Sequence, residues 1–221
     1  MSAVKAVEPF CVLAAVVVGG LLAVLIVVTV RQARRREQMF RQWATRAGWT
    51  LTERPQTGWY RFLPGGNRYG VSRALSGTVR GRPVTVAEYT HRERRVIGET
   101  SSISTHRYVV VVVRLGRPYP LIAVDSRGAF SKLGRKLFGD GQAATGNDEF
   151  DRRFRIATKE PAIARQVVGP QLIAAHLAGT VPAWTVSGLE LLTYREGTID
   201  RPDRIPVLAE PTLRIADLLG R

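Results

Sequence analysis

Cysteine is all but missing: Cys11 is the single one in 221 residues. That excludes a disulfide framework and a thiolate metal cluster within one chain, and it suits a reducing cytoplasm. Histidine is almost as scarce, with only His91, His106 and His176. The sequence also lacks G-x-S-x-G, P-loop and G-x-G-x-x-G patterns, because Gly65-Gly66 and Gly139-Asp140-Gly141 have no phosphate-binding lysine or helix context behind them. The acidic group Asp148, Glu149 and Asp151 has neither the ligand spacing nor the glycine of a calcium loop. Acidic residues are in deficit, 18 Asp and Glu against 33 Lys and Arg. The arginines are dispersed along the chain without an aromatic-basic strand or a helix-turn-helix signal, which argues against nucleic acid as the partner.

What the sequence does have is one long run without charge. Pro9 to Val30 is 22 residues of PFCVLAAVVVGGLLAVLIVVTV, which as a helix measures about 33 Å and matches a hydrocarbon core of roughly 30 Å. A cleaved signal peptide would need a basic leader, a shorter apolar core and a small-residue cleavage site, and none of these is present. The flanks set the orientation. Lys5 and Glu8 precede the run, whereas Arg31, Arg34, Arg35, Arg36, Arg41 and Arg46 follow it against the single Glu37. Basic residues next to a span stay on the cytoplasmic side. The expected organisation is an extracytoplasmic tail (1–8), a transmembrane helix (9–30), a basic amphipathic helix (31–48) and a cytoplasmic domain (49–221), in a single-pass protein of the plasma membrane. Arg31, Arg34, Arg35, Arg36 and Arg41 are candidate contacts to anionic lipid headgroups. Ala15, Gly19 and Ala23 recur at four-residue spacing and form a candidate face for a homodimer.

Past the span, Phe40, Trp43, Ala44 and Ala47 make an apolar helical stripe that serves either the following domain or the headgroup layer, and Gly48 stops the helix. The period then becomes alternating. Trp49–Leu51, Trp59–Phe62, Tyr69–Arg80, Pro83–His91 and His106–Leu115 read as strands, with a tight turn at Gly81-Arg82. Tyr108–Val113, one Tyr and five Val, predicts a central strand buried on both faces. The polar excursion Arg92–Thr105 is expected to be a loop and the least ordered part of the domain. A short strand at Leu121–Val124 is followed by a helix bearing Phe130, Leu133, Leu137 and Phe138. Then come a strand at Phe150–Ala157, a Thr158 cap, a helix pair broken at Gly169-Pro170, and two strands at Trp184 and Leu189–Tyr194 around Ser187-Gly188. A closing helix runs through Leu208, Leu213, Ile215 and Leu218. Strand and helix runs are segregated, which predicts an α+β domain with a mainly antiparallel sheet built from residues 68–124 and 150–194 and helices to one side.

The span, the helix ending in Ala47-Gly48-Trp49, the Phe150-Asp151-Arg152-Arg153-Phe154 segment and the break at Gly169-Pro170 resemble single-pass membrane proteins of high-GC Gram-positive bacteria. Phe150–Leu177 is also similar to a wider bacterial family of membrane-anchored domains. The resemblance implies the architecture and carries no catalytic residue and no cofactor.

His176, beside Leu172 and Ile173 on a short helix, reads as a half-buried or surface histidine. His91 and His106 close the two ends of the excursion and with Glu88 or Glu93 offer two imidazoles and a carboxylate, the minimum for a metal site. The leading functional expectation is a non-enzymatic anchored domain that binds a protein or anionic lipid. The alternatives are a membrane-tethered hydrolase or metal enzyme on His91 and His106, and nucleic-acid binding by the basic surface.

Overall fold

The computed structural model describes residues 7–97, 100–127, 138 and 141–219, with side chains from residue 19 onward except at 95, 97 and 100. The chain divides into two compact units, residues 1–43 and 44–221. Helix α1 (Val7–Ala47) is 41 residues long, about 62 Å. The run expected to span a membrane and the basic helix expected after it are therefore one uninterrupted element. Inside the apolar part, Thr29 donates its hydroxyl back to the carbonyls of Leu25 (2.9 Å) and Ile26 (2.8 Å), so its polar group is satisfied within the helix. Farther along, Arg41 pairs with Glu37 one turn earlier at 3.1 Å, and the Arg36 guanidinium lies 5.7 Å from the Phe40 ring centroid. Among the described residues no helix is long and apolar enough to cross a membrane. The side chains of residues 9–18, the first part of the charge-free run, lie outside the described set. As expected, the helix stops at Gly48, whose φ of 67° is one that glycine adopts without strain. Trp49 N–H then donates to the Ala44 carbonyl at 2.8 Å and closes the terminus.

The second unit is α+β: a seven-stranded sheet in which every pairing is antiparallel, with flanking helices. Strands β1 (Thr50–Glu53), β2 (Val71–Val79) and β3 (Arg82–Ile97) form a meander. Val79 pairs with Arg82 across Arg80-Gly81, and both turn residues have positive φ (51° and 75°). This is a two-residue hairpin turn whose twist suits the strands, one position earlier than its expected place. Strand β4 (Thr100–Ser126) is the organiser. Its Tyr108–Val113 run is buried on both faces, as the unbroken β-branched sequence predicts. One edge of β4 carries β7 (Trp184–Glu196), and the other is shared end to end by β3 and β6 (Phe154–Thr158), with the two-residue β5 (Gln142–Ala143) beyond β6. Pro118 and Pro120 fall between the stretches paired to β3 and to β6, where no partner needs their missing N–H.

Four short readings give way to competing local chemistry. Trp59–Phe62 is a 3-10 turn and not a strand, followed by a second turn at Pro64–Gly66. The turn drops both Trp59 and Leu63 into the core, against Ala87, Tyr89, Tyr108 and Val110, whereas a strand would place Trp59 and Arg61 on one face. Where a strand was expected from Phe150, helix α2 (Asp148–Arg153) precedes β6. Asn147 accepts from Phe150 N–H at 3.0 Å, acidic residues fill the first turn and Arg152 and Arg153 the last, which is the charge order a helix dipole favours. The two strands around Ser187-Gly188 are one strand, β7, with Gly188 at φ 58° where the register to β4 breaks.

The fourth correction is the largest. Arg92–Ile97 pairs residue by residue with Thr100–Thr105, so the expected loop is a β-ribbon that prolongs the β3–β4 pairing; residues 98–99 lie outside the described set. Water reaches both faces of the ribbon, and Val96 and Ile103 are exposed on it; polar side chains are therefore no obstacle to strand pairing there. The helix expected at residues 130–138 lies outside the described residues except for Phe138, which is buried.

After β6 come α3 (Pro161–Val167) and α4 (Pro170–Leu177), each with proline in its first turn. Glu160 N–H donates to Thr158 Oγ1 at 3.0 Å as the first of them begins. The closing helix α5 (Ile205–Leu218) buries Ile205, Ala209, Leu213 and Ile215 and packs on β3, β4 and β7. Behind it Glu88 is buried on β3, holding Arg73 Nε at 3.0 Å and accepting from Ile199 N–H at 3.0 Å.

Candidate functional site

The ladder places His91 directly opposite His106. Opposed residues in an antiparallel pair point to the same face, so the imidazoles do face each other across the hairpin. Their surroundings differ. The His91 ring lies against the backbone of Gly65, where an added Cβ would come within 2.1 Å of it. His106 Nδ1 is 3.5 Å from Glu196 Oε1, and its ring stacks at 6.5 Å on Tyr108. Glu93 lies two residues beyond His91 on the same face, but Glu88 belongs to the opposite face and is engaged by Arg73 and Ile199. Among the described residues no group of three or more His, Cys, Asp and Glu side chains is placed to hold a metal ion.

The basic set lies on α1, where Arg31, Arg34, Arg35 and Arg41 are exposed and Arg36 is half-buried. Gly19 and Ala23 of the proposed dimer face are exposed, with open space around Gly19; the side chain of Ala15 lies outside the described residues.

His176 departs most from expectation, being 1% exposed. Trp184 Nε1–H donates to its Nε2 at 2.9 Å, while Nδ1 is buried without a partner. The ring is boxed by Phe154 (4.9 Å) and the edge-on Phe150 (5.7 Å). Accepting from tryptophan fixes the neutral tautomer with hydrogen on Nδ1. Burial pushes the imidazole pKa down to about 4. Phe150, Phe154, His176 and Trp184 come from four different elements, so no spacing in the sequence announces them.

A groove also escaped the sequence. It has a volume of about 350 Å³ and lies between β4, β7, the 179–182 loop and α5. Val109, Val111, Val181, Val207 and Leu208 form its walls, the Thr193 and Thr212 hydroxyls meet in its lining 2.7 Å apart, and Arg195 is its one charged residue. Two signals were available: Pro211 in mid-helix and a valine, Val207, on the outward side of an otherwise well-patterned helix.

No protein-family model matches the chain, and no curated protein matches it. Among solved structures, the crystal structure of the mycobacterial trehalose monomycolate transport factor A, TtfA, is similar over 82% of this chain and 90% of that one, with a TM-score of 0.51 and 13% identity, a likeness of fold.

Proposed function

We propose that this chain is a non-enzymatic, single-pass plasma-membrane protein whose α+β domain binds a protein partner or anionic lipid at the cytoplasmic surface. The observation that carries the proposal is the continuity of α1. One uninterrupted helix holds the charge-free run and, directly after it, the arginine cluster. A helix of this design sits with its apolar part in hydrocarbon and its guanidinium groups at the level of lipid phosphate, each basic residue contributing about 1 kcal/mol. A transport factor with the same fold supports a role without catalysis. Glu196 approaches His106, but among the described residues no three His, Cys, Asp or Glu side chains are placed together to hold a metal, which ranks the metal-enzyme reading below this one.

The test is extraction and topology together. The intact protein should stay with membranes through alkaline carbonate treatment, and a reporter fused after Arg221 should behave as cytoplasmic. Release by carbonate, or an active extracytoplasmic reporter, would remove the reading. Replacing Arg31, Arg34, Arg35, Arg36 and Arg41 with Gln should shift the orientation toward a mixture, because the cytoplasmic bias then rests on Arg46 alone in that stretch.

A further inference from the structure

We propose that the groove beneath α5 binds a single fatty-acyl chain that ends in a carboxylate. The inference concerns the second unit alone and stands whether or not α1 crosses a membrane. Protein interiors are close-packed, and a concave space of about 350 Å³ falls in the range of small-molecule sites. Its walls are aliphatic, from valines of β4 and of the 179–182 loop on one side and the first turns of α5 on the other. Val207 is 68% exposed on those turns, leaving an apolar lip to the opening. Pro211, one turn on in the same wall, has no N–H to give the Val207 carbonyl, so the helix is locally released at the groove.

Charge and hydrogen bonding select the head. The lining contains one cation, Arg195, and no acidic side chain. Arg195 is exposed at the groove and has no ion-pair partner among the described residues, so its guanidinium is open to an anionic head. Thr193 and Thr212 are buried and bonded to each other, and a pair of hydroxyls uses only one of its two hydrogens in that bond. The second hydrogen has no acceptor among the described residues. A carboxylate accepts from both guanidinium and hydroxyl, and a hydrocarbon chain fills the aliphatic walls. A neutral alcohol of the same length would accept the same hydrogen bonds without the charge assistance.

The experiment uses the intact chain in nanodiscs with palmitate carrying a photoactivatable diazirine near its methyl end. Mass spectrometry of the digest should find saturable labelling on the 179–182 and 207–212 segments. Unlabelled palmitate should compete at least about ten-fold better than hexadecanol, as a charge-assisted hydrogen bond requires. Arg195→Gln should erase that difference, and Val207→Trp, an exposed substitution that closes the mouth, should abolish labelling. Labelling confined to residues 9–30 would overturn the proposal, as would groove labelling that neither variant changes. Protection of the groove only in the presence of another protein would assign it to a partner's side chains and overturn it too. Carbonate extraction is indifferent to all of these results, so failure here leaves the anchoring proposal untouched.

Discussion

Acidification should destabilise the domain through one residue, His176. In the folded chain its pKa is about 4, against an ordinary 6.5. Above pH 6.5 the imidazole is neutral in both folded and unfolded chains and pH has no purchase on it. Between 6.5 and 4 the unfolded chain binds a proton that the folded one refuses, so stability falls by about 1.4 kcal/mol per pH unit. Below 4 the loss levels off, at roughly 3 kcal/mol in total, a large share of the stability of an ordinary domain. The assay is urea unfolding of the full chain in detergent at pH 7, 6, 5 and 4, followed by tryptophan fluorescence, with His176→Gln as the control. Glutamine keeps an acceptor for Trp184 and does not titrate. Burial raises the pKa of Asp125, which acts in the opposite sense, but that group is common to both proteins and cancels in the difference. Wild type should lose roughly 3 kcal/mol more than the variant between pH 7 and pH 4. Equal pH slopes for the two proteins would refute the assignment of a buried, neutral His176.

Glu88→Gln should cost about 3 kcal/mol by urea unfolding at pH 7, since it leaves the Arg73 charge buried against a neutral amide. Gly77→Ala should cost on the order of 1–3 kcal/mol, because the new Cβ would lie 2.3 Å from the Trp49 ring; a shift in near-ultraviolet circular dichroism should accompany the loss. Gly19→Ile should reduce association of the isolated span in a membrane two-hybrid reporter. Equal signals from wild type and variant would dismiss the Ala15, Gly19, Ala23 face.

The elements legible in the sequence are those whose local pattern and tertiary setting agree. Five consecutive valines read as a doubly buried strand and are one; Gly48 and Gly169-Pro170 mark helix boundaries because glycine and proline act on the backbone itself. His91 and His106 do face each other, but not as strand ends, because β3 and β4 stay paired beyond both. The misread segments are those where two local rules compete. Phe150 and Phe154 read as the aromatic flank of a strand that continues to Ala157, yet Asn147 and the acid-then-base order of Asp148–Arg153 specify a helical turn. Polarity in Arg92–Thr105 suggested a loop, but polarity reports exposure and not backbone pairing, and an exposed ribbon satisfies both. His176 and the groove were invisible for a different reason: each is assembled from residues far apart in sequence.

The groove in particular depends on a non-local feature, the meeting of β4, β7, the 179–182 loop and α5. Val181 lies just before β7 and Thr193 near its end, yet both line the same groove. A straight strand would carry residues that far apart by about 40 Å. Strand β7 is not regular: its register to β4 breaks between Arg114 and Tyr119 and again between Tyr119 and Ile122, opposite Gly188. Bulges bend a strand and increase its twist. The 179–182 loop, which precedes β7, and residues 193–195 near the end of β7 share the lining with Val109 and Val111 of β4, and α5 supplies the rest. Pro118 and Pro120 in β4 remove two donors in the interval where the edge passes from β3 to β6, so the ladder has least to lose by bending there. Only Arg195 among the groove's lining residues bears a charge. If a carboxylate is the head group, binding to the folded domain weakens as pH falls through that carboxylate's own pKa.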